Sequence, residues 1–150
     1  MTHPLDPVRR LRVMAAAVPG ARVVERVLPA PLEAVWAVMG DLEGGFGAFQ
    51  PDMREVRVVR VDGDRVEALA RSHHGFRARL RGYVRPGWCW LQSRFLIIGM
   101  AAAPEPGGGT RIALTGGVRV PGRAAIVPLG ARRELERAAT RLEALLLSSG

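Results

Sequence analysis

From residue 21 to residue 120 apolar and polar side chains alternate in short runs, the period of half-buried strands. The runs are Ala21 to Leu28, Arg54 to Val61, Arg65 to Ser72, Phe76 to Val84, Trp88 to Ser93 and Thr110 to Val120. Turn-forming clusters separate them: Asp62-Gly63-Asp64, His73-His74-Gly75, Arg85-Pro86-Gly87 and Pro104 to Gly109. Phe95-Leu96-Ile97-Ile98 is apolar without alternation, and fits either a loop or a strand ending near Ala103. From Pro128 or Ala131 to Leu147 the period becomes helical. Leu135, Ala138, Ala139, Leu142, Leu145 and Leu146 form one stripe, with Arg132, Arg133, Glu136, Arg137, Arg141 and Glu143 opposite. A shorter helix is expected over Pro31 to Met39, with proline in the first turn, where its missing N–H is not needed. Gly40 to Met53 reads as a loop or broken second helix with Phe46 and Phe49 tucked inward, and Pro121 to Val127 as a connector. Residues 1–20 read as a leader with a short helix from Pro7 to Val18, packed outside a single domain spanning 21–150.

The order is thus strand, helix pair, six strands, long helix. Consecutive hairpins make the sheet antiparallel, and the amphipathic C-terminal helix covers its apolar side. The class is α+β: a seven-stranded antiparallel sheet curved around a long C-terminal helix, with two short helices after the first strand.

Two local patterns sharpen this. Pro29-Ala30-Pro31-Leu32-Glu33-Ala34-Val35-Trp36, followed by Asp41, resembles the strand-to-helix entry of the START / polyketide cyclase-dehydrase superfamily. Gly109-Thr110-Arg111-Ile112 resembles the start of that family's last strand. The resemblance covers residues 21 to 147 and implies the helix-grip fold, with an internal cavity for a small hydrophobic or polycyclic molecule. It also admits an aromatase/cyclase-type enzyme acting on a polyketide-like substrate in the same cavity.

Strand alternation proposes the cavity wall. The inner sets are Val66, Ala68 and Ala70; Phe76, Ala78, Leu80 and Gly82; and Ile112, Leu114, Gly116 and Val118. Many are small, so the space between sheet and helix is filled by a ligand or by a collapsed core. Leu135 and Leu142 face it from the helix, and Trp36 forms a wall. Trp88, Trp90, Gln92 and Arg94 share one parity; facing inward, they place two indoles and an amide in the cavity. Outward or rim exposure is the alternative for Arg94. Phe95 to Ile98 is either core or a gate at the mouth. Cyclisation chemistry needs an acid or base and an oxyanion donor converging on one point. The candidates are Arg71, His73, His74 and Arg94.

Composition narrows the rest. All 22 basic residues are arginine, there is no Lys or Asn, and the formal net charge is +8. A GC-rich genome accounts for that bias, and Arg77, Arg79, Arg81 and Arg85 share the parity of a solvated sheet face. No nucleic-acid partner is expected, because no helix-turn-helix, zinc knuckle or aromatic RNA-binding strand accompanies the charge. A protein- or membrane-surface interaction through the basic exterior is the third reading. Cys89 stands alone, so no internal disulfide framework is expected, in keeping with a cytoplasmic location. His3, His73, His74 and Cys89 show no ligand spacing, so no metal or cofactor is expected. No apolar run is long enough for stable membrane insertion.

Overall fold

The computed structural model describes residues 6–44, 53–72, 75, 77–94, 96–119, 126–127 and 131–148. In chain order these form α1 (Pro7–Ala16), β1 (Val23–Leu28), α2 (Leu32–Met39), β2 (Met53–Asp62), β3 (Arg65–Ser72), β4 (Arg77–Arg85), β5 (Trp88–Gln92), β6 (Leu96–Pro104), β7 (Thr110–Arg119), β8 (Ile126–Val127) and α3 (Ala131–Ser148). The seven long strands lie in the order β1-β7-β6-β5-β4-β3-β2, every pair antiparallel. This is the expected α+β helix-grip sheet.

One feature differs from the sequence reading and one settles an alternative it left open. The stretch read as a connector contains β8, which pairs with Val118 and Arg119 beyond the end of β1. The apolar run after Arg94 is a central strand: β6 is buried on both faces from Ile97 to Ala103, which erases the alternation that identifies one-sided strands. Phe95 lies outside the described residues. So does the segment expected to hold a second short helix with Phe46 and Phe49; its first residues form a turn in which the Asp41 carboxylate accepts from the Gly44 N–H at 3.1 Å.

Each face of the sheet has its own core. The inner face, toward α2 and α3, gathers Val24, Leu28, Val56, Val66, Ala68, Leu80, Leu91, Met100, Ile112 and Leu114 with Val35, Met39, Ala138, Ala139 and Leu142. The outer face carries a second cluster under α1: Val8 and Leu11 against Trp88, Trp90, Ile97, Ala101 and Ala113. Helix α1 starts where Asp6 caps the Arg9 N–H at 3.0 Å with Pro7 in the first turn. Its buried positions Val8, Leu11 and Ala15 recur at helical spacing. Arg12 reaches Glu25 of β1 at 2.7 Å, and the Arg10 guanidinium sits 5.1 Å from the Trp88 ring centre. A Cβ on Gly99 of β6 would come within 3 Å of Thr115, Leu11 and Trp90, so its absence lets helix and indole settle onto the sheet.

The two short sequence patterns meet in space. The Thr110 hydroxyl donates to the Ala30 carbonyl at 2.7 Å, tying the start of β7 to the segment that enters α2. Gly109, at φ 81°, lies where a Cβ would strike the Leu28 carbonyl at 2.6 Å.

Candidate functional site

Helix α3 packs chiefly on β1, β7 and α2. Arg26, on the edge strand β1, donates to the Thr140 hydroxyl at 2.8 Å and lies 3.7 Å from Glu143, which pins the helix to that side of the sheet. Strands β2 to β4 turn a different surface toward the interior. Val56, Val58, Val66, Ala68, Ala70, Ala78, Leu80 and Val84 belong to it. Beside it a hollow of about 310 Å³ opens between residues 40–43 and the strands, lined by Leu42, Val58, Val61, Val66 and Val84 with Asp41 and Glu43 at the rim. Val61 is 63% exposed there. Trp36 is half-buried on α2 with its indole over Gly40, where a Cβ would meet Nε1 at 2.6 Å.

The proposed site residues therefore divide. Ala68, Ala70, Ala78, Leu80, Leu114 and Leu142 belong to the inner cluster with Trp36, and Gly116 is buried on the same parity of β7 as Leu114. Trp88, Trp90 and Gln92 are a correction: they point to the outer face. Both indoles lie under α1, and Trp90 Nε1 approaches Gln92 Oε1 only at 3.5 Å. The parity of the strand was read correctly and its side was not, because α1 supplies an apolar partner on the face expected to be wet. Arg71 also belongs to the outer face, beside Leu69 and Arg77, and Arg94 is exposed in the β5–β6 turn. His73, His74 and Phe76 lie outside the described residues, as does the side chain of Leu135.

On β5 two inner-face residues escaped the sequence reading. Cys89 and Leu91 face inward because the tryptophans face outward. Burial without a charged neighbour pushes the Cys89 thiol from its ordinary 9.0 up to about 12. The signal that could have found them was the stripe of Val8, Leu11 and Ala15 in α1, which needs an apolar surface to rest on.

Among the described residues no group of three or more His, Cys, Asp or Glu side chains could hold a metal ion. No described helix is long and apolar enough to cross a membrane. Arg111 on the outer face is ion-paired with Glu105 and then Glu25, and the bond to Glu105 holds its guanidinium pKa above the ordinary value.

No family model matches the chain, and no curated protein does. Solved structures do. Protein MLL2253 from Mesorhizobium loti is 17% identical with a TM-score of 0.64, covering 87% of this chain and 98% of its own. The Zhui aromatase/cyclase from Streptomyces sp. R1128 is 18% identical with a TM-score of 0.57, covering 86% of this chain and 93% of its own. Ara h 8.0201 is 12% identical with a TM-score of 0.57, covering 85% of this chain and 97% of its own.

Proposed function

Starting from the helix-grip fold shared with these structures, that of the START / polyketide cyclase superfamily, we propose that this protein binds a small hydrophobic or polycyclic molecule between the sheet and α3. The observation that carries the reading is the division of the inner face. The described contacts of helix α3 fall chiefly on β1, β7 and α2, while the inner side chains of β2 to β4 are small, apolar and buried, with an opening beside Leu42 and Val61. The opening alone, at about 310 Å³, reaches the lower end of the range of small-molecule pockets, roughly 300–1,000 Å³. Burial of apolar ligand surface drives affinity at roughly 25 cal/mol per Å² before association costs.

Binding is favoured over catalysis of the aromatase/cyclase type. That chemistry needs two polar groups aimed at one point of the cavity. Of the four candidates, the two that are described, Arg71 and Arg94, lie on the outer face and in an exposed turn.

The test uses Nile red, an uncharged apolar dye, together with native mass spectrometry for a co-purified small molecule. Saturable binding of one dye per chain is expected. Ala70→Phe fills the inner face and abolishes it. Val61→Asp, an exposed change that leaves the fold intact, weakens it several-fold, and Leu69→Ser on the opposite face leaves it unchanged. Dye binding indifferent to both inner-side variants overturns the reading.

A further inference from the structure

Helix α1 covers only part of the outer face. Over β2 to β4 no described element covers that face, and its cross-strand rows are unusual. Arg71 stands directly opposite Arg77, and Leu69 lies between Arg57 and Arg79. Like charges directly opposite on one face of a sheet are destabilising. Among the described residues Glu67 compensates Arg79 at 3.3 Å and Arg81 at 2.8 Å, whereas Arg57, Arg71 and Arg77 form no ion pair. These three line a hollow of about 360 Å³, where Glu55, directly across from Arg71 on β2, is the one carboxylate among the described lining residues. The folded sheet therefore gathers the guanidinium groups of Arg57, Arg71, Arg77, Arg79 and Arg81 around two carboxylates, Glu55 and Glu67, and the excess of positive charge suits an external anion.

Apolar side chains stand among them. Leu69 is 42% exposed at the centre of the arginines and Tyr83 is 40% exposed two residues past Arg81, with the guanidiniums of Arg65 and Arg85 at 6.0 and 5.8 Å from its ring centre. An exposed face of arginines around a leucine and a tyrosine suits a boundary that is anionic at its surface and apolar just beneath. Arginine stems and tyrosine rings are amphipathic in that same direction. A nucleic acid would engage the charge and leave Leu69 without a partner.

We propose that the outer face of β2 to β4 docks on an anionic lipid bilayer surface, with the Arg57, Arg71 and Arg77 group on lipid phosphates and Leu69 entering the interface. This surface does not depend on the ligand reading above, because it lies on the opposite side of the sheet.

Co-sedimentation with phosphatidylcholine vesicles, with and without phosphatidylglycerol, tests it in the full chain. Binding is expected only with the anionic lipid. The pair Arg57→Glu and Arg77→Glu lowers affinity by more than about tenfold, since each basic residue near an anionic surface is worth about fivefold. Arg22→Glu with Arg141→Glu, exposed elsewhere, alters net charge equally and changes affinity less than about threefold. Leu69→Ser weakens vesicle binding while leaving affinity for a short DNA duplex untouched. Because Arg77→Glu removes a like-charge pair, the sheet variant is expected to melt no lower than the parent, which separates lost docking from lost folding. Three results would overturn the proposal: equal loss in both charge-reversed pairs, no preference for anionic vesicles, or Leu69→Ser binding vesicles as well as the parent.

Discussion

At the scale of single residues, two side chains stand apart for how much depends on them. The Thr110 hydroxyl is fully buried and spends its one donor on the Ala30 carbonyl. Thr110→Val keeps the shape and strands that carbonyl, at a cost of about 1–2 kcal/mol in urea unfolding. Cys89 is buried on the inner face with its thiol pKa raised to about 12. The folded state therefore retains a proton that the unfolded chain releases above the ordinary thiol value. Stability is unaffected by this group below about pH 9 and falls as pH rises from there toward 12, by about 1.4 kcal/mol per unit. Cys89→Ala removes that component, so chemical denaturation of both proteins at pH 8 and pH 10.5 should show a steeper decline for the parent. The same burial makes the native thiol slow to react with alkylating reagents.

At the scale of elements, α1 is the piece whose role the sequence left least defined. It fills the outer side of β5 to β7 with Val8 and Leu11, and it decides where both tryptophans point. Leu11→Ala should cost about 3 kcal/mol, as for other buried leucines, and shift tryptophan emission to longer wavelength as Trp88 and Trp90 gain water. An undisturbed emission spectrum would contradict this packing. Hairpins with a clear turn signal were legible from sequence. Asp62 pairs with Arg65 and Arg85 with Trp88 across two-residue loops at the glycine-bearing turns that were singled out. The described members of the inner sets of β3, β4 and β7 were legible too, because polar side chains recur on the opposite parity there. Strands β5 and β6 were not, for one physical reason. They are covered on both sides, so hydrophobicity carries no information about direction. Within Trp88-Cys89-Trp90-Leu91 either parity can face the helix, and the larger residues went to the side where α1 supplied the deeper bed. Strand β8 is two residues long, too short for any period to register.

At the scale of the whole molecule, the sheet separates three surfaces that the sequence interleaves residue by residue. The inner face is apolar, the outer face is apolar beneath α1, and the rest of the outer face is rich in arginine. That separation is what a period of two achieves once a twisted sheet is covered unequally on its two sides. The overall charge of +8 was visible from the start; that Arg57, Arg71, Arg77, Arg79 and Arg81 share one half of one face required the cross-strand register. The pairing of β1 with β7 has a further consequence in time. Val23 to Leu28 find their partners in Thr110 to Thr115, near the other end of the chain. At ordinary rates of synthesis, roughly 5–20 residues per second, several seconds pass between the two strands leaving the ribosome. Throughout that interval β1 has no neighbour, and α1 has no tryptophans to lie on until β5 is made. Strands β2 to β5 can meanwhile form hairpin by hairpin, but the clasp between Thr110 and Ala30 closes late. The last long strand to be made completes the first, so a nascent chain of this protein exposes the apolar side chains of β1 until β7 has been made.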